Sequence, residues 1–249
     1  MKHRSGRVLT AILVMATGAW ALASYLTPAV RSTPRSNRVL AFTRTTGYRH
    51  ASIQPAVSAL QRAGAPLGVS VESSEDVALF TTEGLAPYGA VILLSTTGEP
   101  LGPPGRATDA LLTYVRRGGG LMAIHAATDA YANGDSYVRL LGGQFDGHPG
   151  DIRVASCRKD GRHPAVARLP ATFEVRDEFY LFRSFRPDNQ VVIRCLAVDG
   201  RTMIPVAWYR DEGTGRVFYT NFGHTNEIWT QRRLVEDHMI PALLWALGR

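Results

Sequence analysis

Residues 118–129 constrain the fold more than any other part of the sequence. Three glycines precede the apolar run 121–124, and His125 follows that run directly, before a series of small residues. This order predicts a buried strand that enters a tight turn and then a helix, a corner that raises a side chain above the carboxyl edge of a parallel sheet. Imidazole carries protons and binds metals near neutral pH. We therefore expect function around His125, the alternative being a histidine that only hydrogen-bonds within its turn.

Strand-like and helical patterns alternate through the first half of the chain. The first unit begins with a short apolar strand, continues through a polar loop that ends at His50, and is completed by a helix that Gly64 ends. The predicted strands are 39–42, 69–71, 90–95 and 121–124, and the predicted helices are 53–64 and 107–117. Such alternation predicts a parallel sheet with helices on both faces.

The second half contains short strand-like runs with little helix between them, followed by a C-terminal helix. The runs are 152–156, 173–175, 191–198, 205–209 and 217–221, and the helix is 231–247. We therefore predict an α/β fold whose doubly wound, mostly parallel sheet carries short antiparallel additions in its second half.

The composition is that of a folded domain with a scattered positive charge. The chain has 249 residues, 45% of them hydrophobic and 20% charged, which fits one large α/β domain. The formal net charge is +7, but three of the basic residues lie in the first seven positions and no basic run is interleaved with aromatic residues. We therefore expect no nucleic-acid partner.

The N-terminus has the pattern of a targeting segment. Residues 8–30 carry no charge and follow Lys2, Arg4 and Arg7, which predicts a signal peptide or an N-terminal membrane anchor over residues 1–30. Residues 31–37 have linker composition, so a single domain is expected over 38–249. The domain is then extracytoplasmic, either periplasmic or secreted, or anchored by the N-terminal helix, which would be its only contact with the membrane.

The chain has two cysteines, Cys157 and Cys195, each in a strand-like segment. An oxidising compartment permits a disulfide between them if the strands are close, and two buried thiols are the alternative. Neither cysteine lies in a metal-binding or nucleophile motif.

Histidines follow three of the predicted strands. His50, His125 and His224 each come after a strand that ends at the ligand-binding edge of an open parallel sheet. Three histidines from separate strands can share one pocket, the geometry of a catalytic metal centre or of an acid/base cluster. Spacing does not decide between a divalent metal such as zinc and a metal-free site.

Carboxylates and a phenol add to this set. Asp177 and Glu178 are adjacent, so in a strand only one of them faces a site, and we favour Glu178. Tyr180 lies two residues further on. Asp129 follows His125 in the turn, with a helix N-cap as the alternative role. His148 stands in a His-Pro pair, which restricts the backbone and needs no other function.

Other residues are weaker candidates. Tyr48, Trp208 and Trp229 can stack on a sugar ring, although aromatic residues in such segments are more often core. His163 and His238 rank below His148, as does His3 in the leader. The chain lacks the Gly-x-Ser-x-Gly elbow, the P-loop, the dinucleotide-binding glycine motif and the His-Glu-x-x-His zinc motif.

Several motifs occur together in an order that resembles the ThuA-like (trehalose utilisation) family, and the likeness covers nearly everything after the linker. They are Thr46-Gly47-Tyr48-Arg49-His50, residues 118–129 and 145–149, Asp177-Glu178-Phe179-Tyr180, Pro205-Val206-Ala207-Trp208, and residues 215–220 with Gly223-His224.

The resemblance implies the flavodoxin-like fold of class I glutamine amidotransferases. Ala123-Ile124-His125 aligns with the Gly-Ile-Cys elbow of that superfamily, so His125 stands where its nucleophile would be and thiol-based ammonia release is disfavoured. Gly223-His224 matches the position of the superfamily's catalytic histidine, which supports a pocket shared by His125 and His224.

The resemblance also implies a small-molecule carbohydrate as substrate, since the family is associated with trehalose breakdown at the stage of 3-keto sugars. We expect a keto-glycoside hydrolase or lyase that works by histidine- or metal-assisted elimination or hydrolysis. In this hypothesis His125 and His224 are bases or metal ligands and Glu178 supports them. The expected substrate-binding residues are Tyr48, His50, Asp129, His148 and Tyr180. The alternatives are a sugar-binding module without catalysis and a membrane-tethered interaction module.

Overall fold

The structure is a computed structural model that describes residues 36–132 and 134–249. The predicted leader, residues 1–30, and residues 31–35 of the predicted linker lie outside the described residues. The described residues form one compact unit. Among the helices of the described residues, none is both long enough and apolar enough to span a bilayer.

The strands and helices follow the predicted order. The strands are β1 Arg38–Phe42, β2 Ser70–Ser74, β3 Ala90–Leu94, β4 Gly120–Ile124, β5 Gln144–Gly147, β6 Arg153–Lys159, β7 Thr172–Asp177, β8 Leu181–Arg183, β9 Gln190–Leu196, β10 Met203–Glu212 and β11 Gly215–Thr220. The α-helices are α1 Ile53–Gly64, α2 Thr82–Leu85, α3 Arg106–Arg116, α4 Asp135–Leu141, α5 Pro164–Ala167, α6 Arg232–Leu234 and α7 Ile240–Ala246.

The central sheet has nine strands in the order β2-β1-β3-β4-β11-β10-β9-β6-β7. The pairs β1 with β2, β1 with β3, β3 with β4, and β4 with β11 are all parallel. With β11 in the fifth position, this half has the 2-1-3-4-5 order of flavodoxin-like sheets. The predicted α/β fold with a doubly wound sheet is therefore confirmed.

Two apolar cores lie on opposite faces of the sheet because side chains alternate along each strand. In β1, Val39 and Ala41 pack into one core, and Leu40 and Phe42 into the other. The first core is covered by α1 and α7, and the second by α3 and α4. All five residues of β3 and of β4 are buried, as expected for strands covered on both faces.

The antiparallel additions extend the sheet beyond β11. Successive strands β10, β9, β6 and β7 each pair antiparallel with the strand before them. Cys157 of β6 lies opposite Cys195 of β9, and the two form a disulfide with their Cα atoms 4.0 Å apart. Of the two alternatives for the cysteines, the structure shows the pair.

The end of β7 lies at the same edge of the sheet as the ends of β4 and β11. Four antiparallel steps from β11 restore the original strand direction, so β7 runs parallel to β11. Asp177, the last residue of β7, accepts hydrogen bonds from the N–H groups of Gly223 and Thr225. The antiparallel half therefore curls back toward the loop that follows β11, and this curl brings Glu178 to the site.

Several local features differ from the sequence prediction, which did not contain the short helices α2 and α5. The segment after His125 is a 3₁₀ turn, His125–Asp129, and not an α-helix. Strands β5 and β8, which are distant in the sequence, pair antiparallel in an extra two-stranded sheet. The predicted C-terminal helix is interrupted by a π turn, Val235–Met239. The turn ends two residues before Pro241, which has no N–H to donate to the carbonyl of Asp237.

Candidate metal centre

His125 is held at the corner between β4 and its 3₁₀ turn. Its backbone has φ of 49°, the left-handed region that residues with a Cβ rarely adopt, and its side chain is fully buried. Ile124 pairs with Thr220 in the parallel ladder between β4 and β11. The next residues of the two strands, His125 and Asn221, therefore meet at the sheet edge, where Nδ1 of His125 lies 2.8 Å from the carbonyl oxygen of Asn221.

His224 is positioned by a glycine that no other residue replaces without strain. Gly223 has φ of 137°, and a Cβ at this position would approach side-chain atoms of Ile124 and Trp229 to 3.1 Å. Trp229 donates its indole N–H to the carbonyl of Gly223 at 3.3 Å. The tight loop therefore turns His224 back toward β4 and His125.

The adjacent carboxylates Asp177 and Glu178 have different partners. Asp177 is fully buried and accepts from the N–H groups of Gly223 at 2.7 Å and Thr225 at 3.1 Å. Glu178 directs its carboxylate at the histidines, with Oε2 3.1 Å from Nδ1 of His224 and 3.5 Å from Nε2 of His125. Asp177 fixes the loop that carries His224, and Glu178 faces the site.

His50 closes the cluster from the loop after β1. Thr97 holds this loop, since its hydroxyl donates to the carbonyl of Tyr48 at 2.8 Å. The ring of His50 packs edge-on against those of His125 and His224, with centroids 4.8 and 5.1 Å apart. His50 is only 5% exposed, and its Nδ1 has no hydrogen-bond partner among the described residues.

These side chains form one group of potential metal ligands. One ligand atom from each of His50, His125, Glu178 and His224 lies within 4.8 Å of the other three, and Nε2 of His125 is 3.1 Å from Nδ1 of His224. The cluster can therefore bind a metal ion.

The hydrogen bond to Asn221 fixes the tautomer of His125. A carbonyl oxygen only accepts, so Nδ1 carries the proton and Nε2 of the neutral ring presents a lone pair. Three polar groups face that lone pair: Nδ1 of His224, Oε2 of Glu178 and the hydroxyl of Tyr180 at 3.0 Å. One lone pair accepts one good hydrogen bond, whereas a cation satisfies several converging lone pairs at once.

The ionisation of the cluster is coupled. Burial opposes ionisation of Glu178, but the adjacent His125 and the hydrogen bond from Nδ1 of His224 outweigh burial and hold the pKa of the carboxyl well below its usual value. The same hydrogen bond to Glu178 raises the pKa of His224. Burial, followed by the electrostatic effect of the neighbouring His125 and His224, lowers the pKa of His50 to about 3. The centre therefore offers an ionised carboxylate and a neutral His50.

The remaining predicted site residues surround this centre. Tyr180 is buried, and burial raises the pKa of its phenol well above the usual value, so that it stays protonated. Nδ1 of His148 lies 3.2 Å from Oε1 of Glu178. The side chain of His148 is 43% exposed, so it forms the mouth of the site, where the ligand cluster meets solvent. Tyr48 is 67% exposed and packs edge-on against His50. Asp129 ends the 3₁₀ turn, and Gly134, not Asp129, stands at the N-cap of α4.

Four of the weaker candidates lie in the core. Trp208 and Trp229 are 0% and 2% exposed, so neither presents a ring to a sugar. His163 accepts a hydrogen bond from the N–H of Ala165 at Nδ1, and His238 lies 2.9 Å from the carbonyl of Ala165 and 3.0 Å from the hydroxyl of Thr220. These histidines hold α5 and the C-terminal helices against the sheet.

Two residues that support the site were not predicted for this role. Asn221 fixes the tautomer of His125 through its carbonyl. Its side chain accepts from the N–H of Tyr180 at 2.7 Å and donates to the carbonyl of Glu178 at 2.6 Å. Asp177 was noticed only as the neighbour of Glu178. The one signal for Asn221 was a polar residue at the end of the predicted strand 217–221, directly before Phe222-Gly223-His224.

The fold and site define an α/β protein with a flavodoxin-like sheet and a histidine-carboxylate centre at the carboxyl edge of its strands. The family model described as ThuA, trehalose utilisation, matches residues 38–246. The chain belongs to the ThuA family. Both of its cysteines, Cys157 and Cys195, are in the disulfide, so neither is a free thiol.

Solved structures of ThuA-like proteins share this fold at low sequence identity. One from Bacteroides uniformis is 21% identical, with a TM-score of 0.68 over 86% of this chain and 92% of that protein. Another, from Parabacteroides merdae, is 18% identical, with a TM-score of 0.69 over 84% of this chain and 89% of that protein. No curated protein sequence matches the chain.

The fold also occurs as part of larger enzymes. A β-galactosidase from Bacillus circulans is similar over 88% of this chain but only 31% of its own length, with 11% identity and a TM-score of 0.56. At this identity the similarity concerns the fold alone.

Proposed function

We propose that this protein is a metal-dependent enzyme that cleaves a 3-keto glycoside. The observation that carries the proposal is the spacing of three ligand atoms, on His125, His224 and Glu178, which are 3.1 to 3.5 Å apart. In a tetrahedral zinc site with metal–ligand distances of about 2.0–2.1 Å, neighbouring ligand atoms are about 3.3 Å apart. The three atoms thus have the spacing of one face of a tetrahedron.

The surroundings of these ligands support a metal over a hydrogen-bonded cluster. A ligating histidine usually donates its second ring N–H to a carbonyl or carboxylate, as His125 does to Asn221. His50 adds a buried nitrogen without a hydrogen-bond partner in the described residues. Three imidazoles and one carboxylate are the donor set that zinc and related divalent ions prefer.

A 3-keto sugar suits such a centre chemically. The ketone acidifies the proton on C2, and its removal gives an enolate that expels the oxygen on C1. The leaving oxygen takes up a proton, and water then adds across C1 and C2, so the net result is hydrolysis. A bound divalent metal would stabilise the enolate oxygen.

The chain supplies the proton-handling groups around that substrate. His148 at the mouth is oriented by Glu178, which accepts from its Nδ1–H and leaves Nε2 free to take the C2 proton. The protonated phenol of Tyr180 lies 3.0 Å from Nε2 of His125, and it is free to donate to the substrate when that nitrogen binds the metal. A paired-carboxylate glycosidase mechanism needs two acids on either side of the bond, and Glu178 is the one carboxylate in this ligand cluster.

We propose that the enzyme acts outside the cytoplasm. The uncharged segment 8–30 after a basic start is the support from the sequence. The disulfide between Cys157 and Cys195 adds independent support, because such bonds persist in oxidising compartments.

The test combines metal analysis with turnover. The purified protein is analysed by mass spectrometry of its elements, depleted with a chelator, reloaded with Zn²⁺ or Mn²⁺, and assayed for monosaccharide release from 3-keto-trehalose. We expect one metal ion per chain and turnover that returns with the metal. Glu178→Gln should lose both, whereas Glu174→Gln, an exposed change on the preceding strand β7, should lose neither.

Two results would overturn the proposal. Full turnover by chelator-treated protein would remove the metal from the mechanism. Binding of the intact disaccharide without turnover by any metal-loaded form would make the protein a sugar-binding module.

A further inference from the structure

A polar depression lies beside the metal centre, between the 3₁₀ turn after His125 and the two-stranded sheet of β5 and β8. Its volume is about 210 Å³, below the roughly 300 Å³ at which sites for drug-sized ligands begin. Its lining residues are Thr128, Asp129, Ala132, Gln144, Phe145, Asp146 and Arg183. A depression of this size suits one sugar ring and not a whole disaccharide.

One layer of aromatic side chains separates the depression from the metal centre. The ring of Phe145, in the wall of the depression, packs against Tyr180 with centroids 4.4 Å apart. The hydroxyl of Tyr180 lies 3.0 Å from Nε2 of His125. A glycoside with one unit at the metal centre can therefore extend its second unit over Phe145 into the depression.

The floor of the depression is built and held in place. Gln144 is only 7% exposed, and its amide donates to the carbonyl of Ala132 at 2.7 Å. Arg183 donates from Nε to the amide oxygen of Gln144 at 3.1 Å and from Nη1 to Asp146 at 3.2 Å. These contacts orient the guanidinium before any ligand arrives.

Hydrogen-bonding groups remain available on this floor. Within the described residues, the carboxylate of Asp129 has neither a hydrogen bond nor an ion pair, and Nη2 of Arg183 donates to no acceptor. A carboxylate accepts from two neighbouring hydroxyls and a guanidinium donates to another. Phe145 offers an apolar face beside them. This combination is complementary to the alternating hydroxyl and C–H faces of a pyranose.

The charges select against an anionic ligand. Two carboxylates, on Asp129 and Asp146, surround the single guanidinium of Arg183, so the depression has an excess negative charge. A phosphate group would meet Asp129 at short range, which is unfavourable in a partly buried site. The hydroxyls of a neutral sugar meet no such repulsion.

We infer that the depression of Asp129, Gln144, Asp146 and Arg183 is the subsite for the second sugar unit of a neutral, unphosphorylated glycoside. The inference rests on the proposed function for the identity of the substrate. It adds that Asp129 and Arg183 determine specificity by binding sugar hydroxyls, and that they take no part in the metal centre.

Asp129→Asn is the main test because the side chain has no internal partner to lose. Calorimetry of metal-loaded protein with trehalose, which lacks the keto group, measures binding without turnover. We expect binding to weaken about tenfold or more, since a hydrogen bond to a charged group contributes on that scale. Asp135→Asn, at a carboxylate with an 88% exposed side chain, is the matched control and should bind as the unmodified protein does.

Arg183→Met tests the guanidinium. Arg38→Met is its control, because the side chains of Arg183 and Arg38 are both 48% exposed and each pairs with a carboxylate. We expect Arg183→Met to weaken trehalose binding about tenfold, while the metal content is unchanged and thermal unfolding shows a folded protein. Trehalose 6-phosphate should bind the unmodified protein at least tenfold more weakly than trehalose does.

The outcomes separate this inference from the proposed function. Weaker trehalose binding by both variants supports the subsite even if no keto-glycoside is cleaved. Unchanged trehalose binding and an unchanged KM in Asp129→Asn would overturn it even if the enzyme turns over. Tighter binding of the 6-phosphate than of trehalose would also overturn it.

Discussion

Nε2 of His125 lies 3.1 Å from Nδ1 of His224, although 99 positions of sequence separate the two residues. The contact follows from the sheet, because β4 and β11 are adjacent parallel strands and Ile124 is in register with Thr220. Each histidine also depends on an unusual backbone, with φ of 49° at His125 and 137° at Gly223. The site is thus specified by strand register and by two strained turns.

The strain at His125 gives the first prediction. His125→Ala and His125→Gly both remove the imidazole and should abolish metal binding. Since glycine adopts positive φ without the penalty that a Cβ brings, the Gly variant should be more stable than the Ala variant by about 1 kcal/mol. Urea unfolding of both variants in the presence of a chelator measures the difference, and a more stable Ala variant would contradict the argument.

The second prediction concerns the buried carboxylate of Asp177. Asp177→Asn replaces one of two acceptor oxygens with an N–H₂ group that faces backbone donors, so the loop from Gly223 to Thr225 should shift. We expect zinc affinity to fall about 10- to 100-fold, as for other residues that orient ligands, and the free energy of unfolding to fall by about 1–3 kcal/mol. Competition with a chromophoric chelator measures the affinity.

Glu174→Gln on the same strand is the control for Asp177→Asn and should leave both quantities unchanged. Zinc affinity in Asp177→Asn equal to that of the unmodified protein would show that the loop holds His224 without the carboxylate.

The third prediction is that the metal-free protein loses stability in mild acid. Burial lowers the pKa of His163 and of His238 to about 4, and that of His50 to about 3. The unfolded chain takes up protons near pH 6.5 that the native state excludes, so stability is full above pH 6.5 and falls toward pH 4. His224 acts in the opposite direction because its pKa is raised.

The size of this acid effect follows from linkage. Between pH 7 and pH 5, each of His163 and His238 should contribute a loss of about 1–2 kcal/mol. Denaturant unfolding in the presence of a chelator at several pH values measures the slope. Stability that is constant or rises between pH 7 and pH 5 would contradict the assignment of these histidines as buried and neutral.

The fourth prediction concerns the disulfide. Cys157 and Cys195 are 38 residues apart, and closing a loop of that length in the unfolded chain corresponds to about 4 kcal/mol of stabilisation. The double variant Cys157→Ala/Cys195→Ala should lose about this amount in denaturant unfolding, and the unmodified protein under a reductant should lose a similar amount. No change in either case would mean that the bond does not form in the protein.

Much of the fold is predictable because local patterns determine it. The apolar run of β4, the helical spacing of α1 and the punctuating Gly64 are visible in the sequence, and the structure has these elements within a few residues of the predicted bounds. The two-stranded sheet of β5 and β8 was not predicted because Gln144–Gly147 has no clear alternation and its partner strand is distant in the sequence. The π turn before Pro241 depends on backbone hydrogen bonding, which composition does not reveal.

Part of the site was predictable because the carboxyl ends of parallel strands lie at the same edge of a sheet. That argument places His50, His125 and His224 near one another, and the structure brings them together with Glu178. The supporting roles of Asn221 and Asp177 were not predictable, because they require the curl that returns the end of β7 to β11. The periodicity of apolar residues predicts where strands lie and which of their faces are buried. The curl of the sheet arises instead from packing between distant parts of the chain.

The four ligand candidates are spread from His50 to His224 and come from the ends of strands in both halves of the sheet. No fragment shorter than this span contains the complete set, so the centre cannot be transplanted as a linear motif. A designer who wished to move it would have to carry the sheet with it, whereas the helices that cover the sheet could be exchanged more freely.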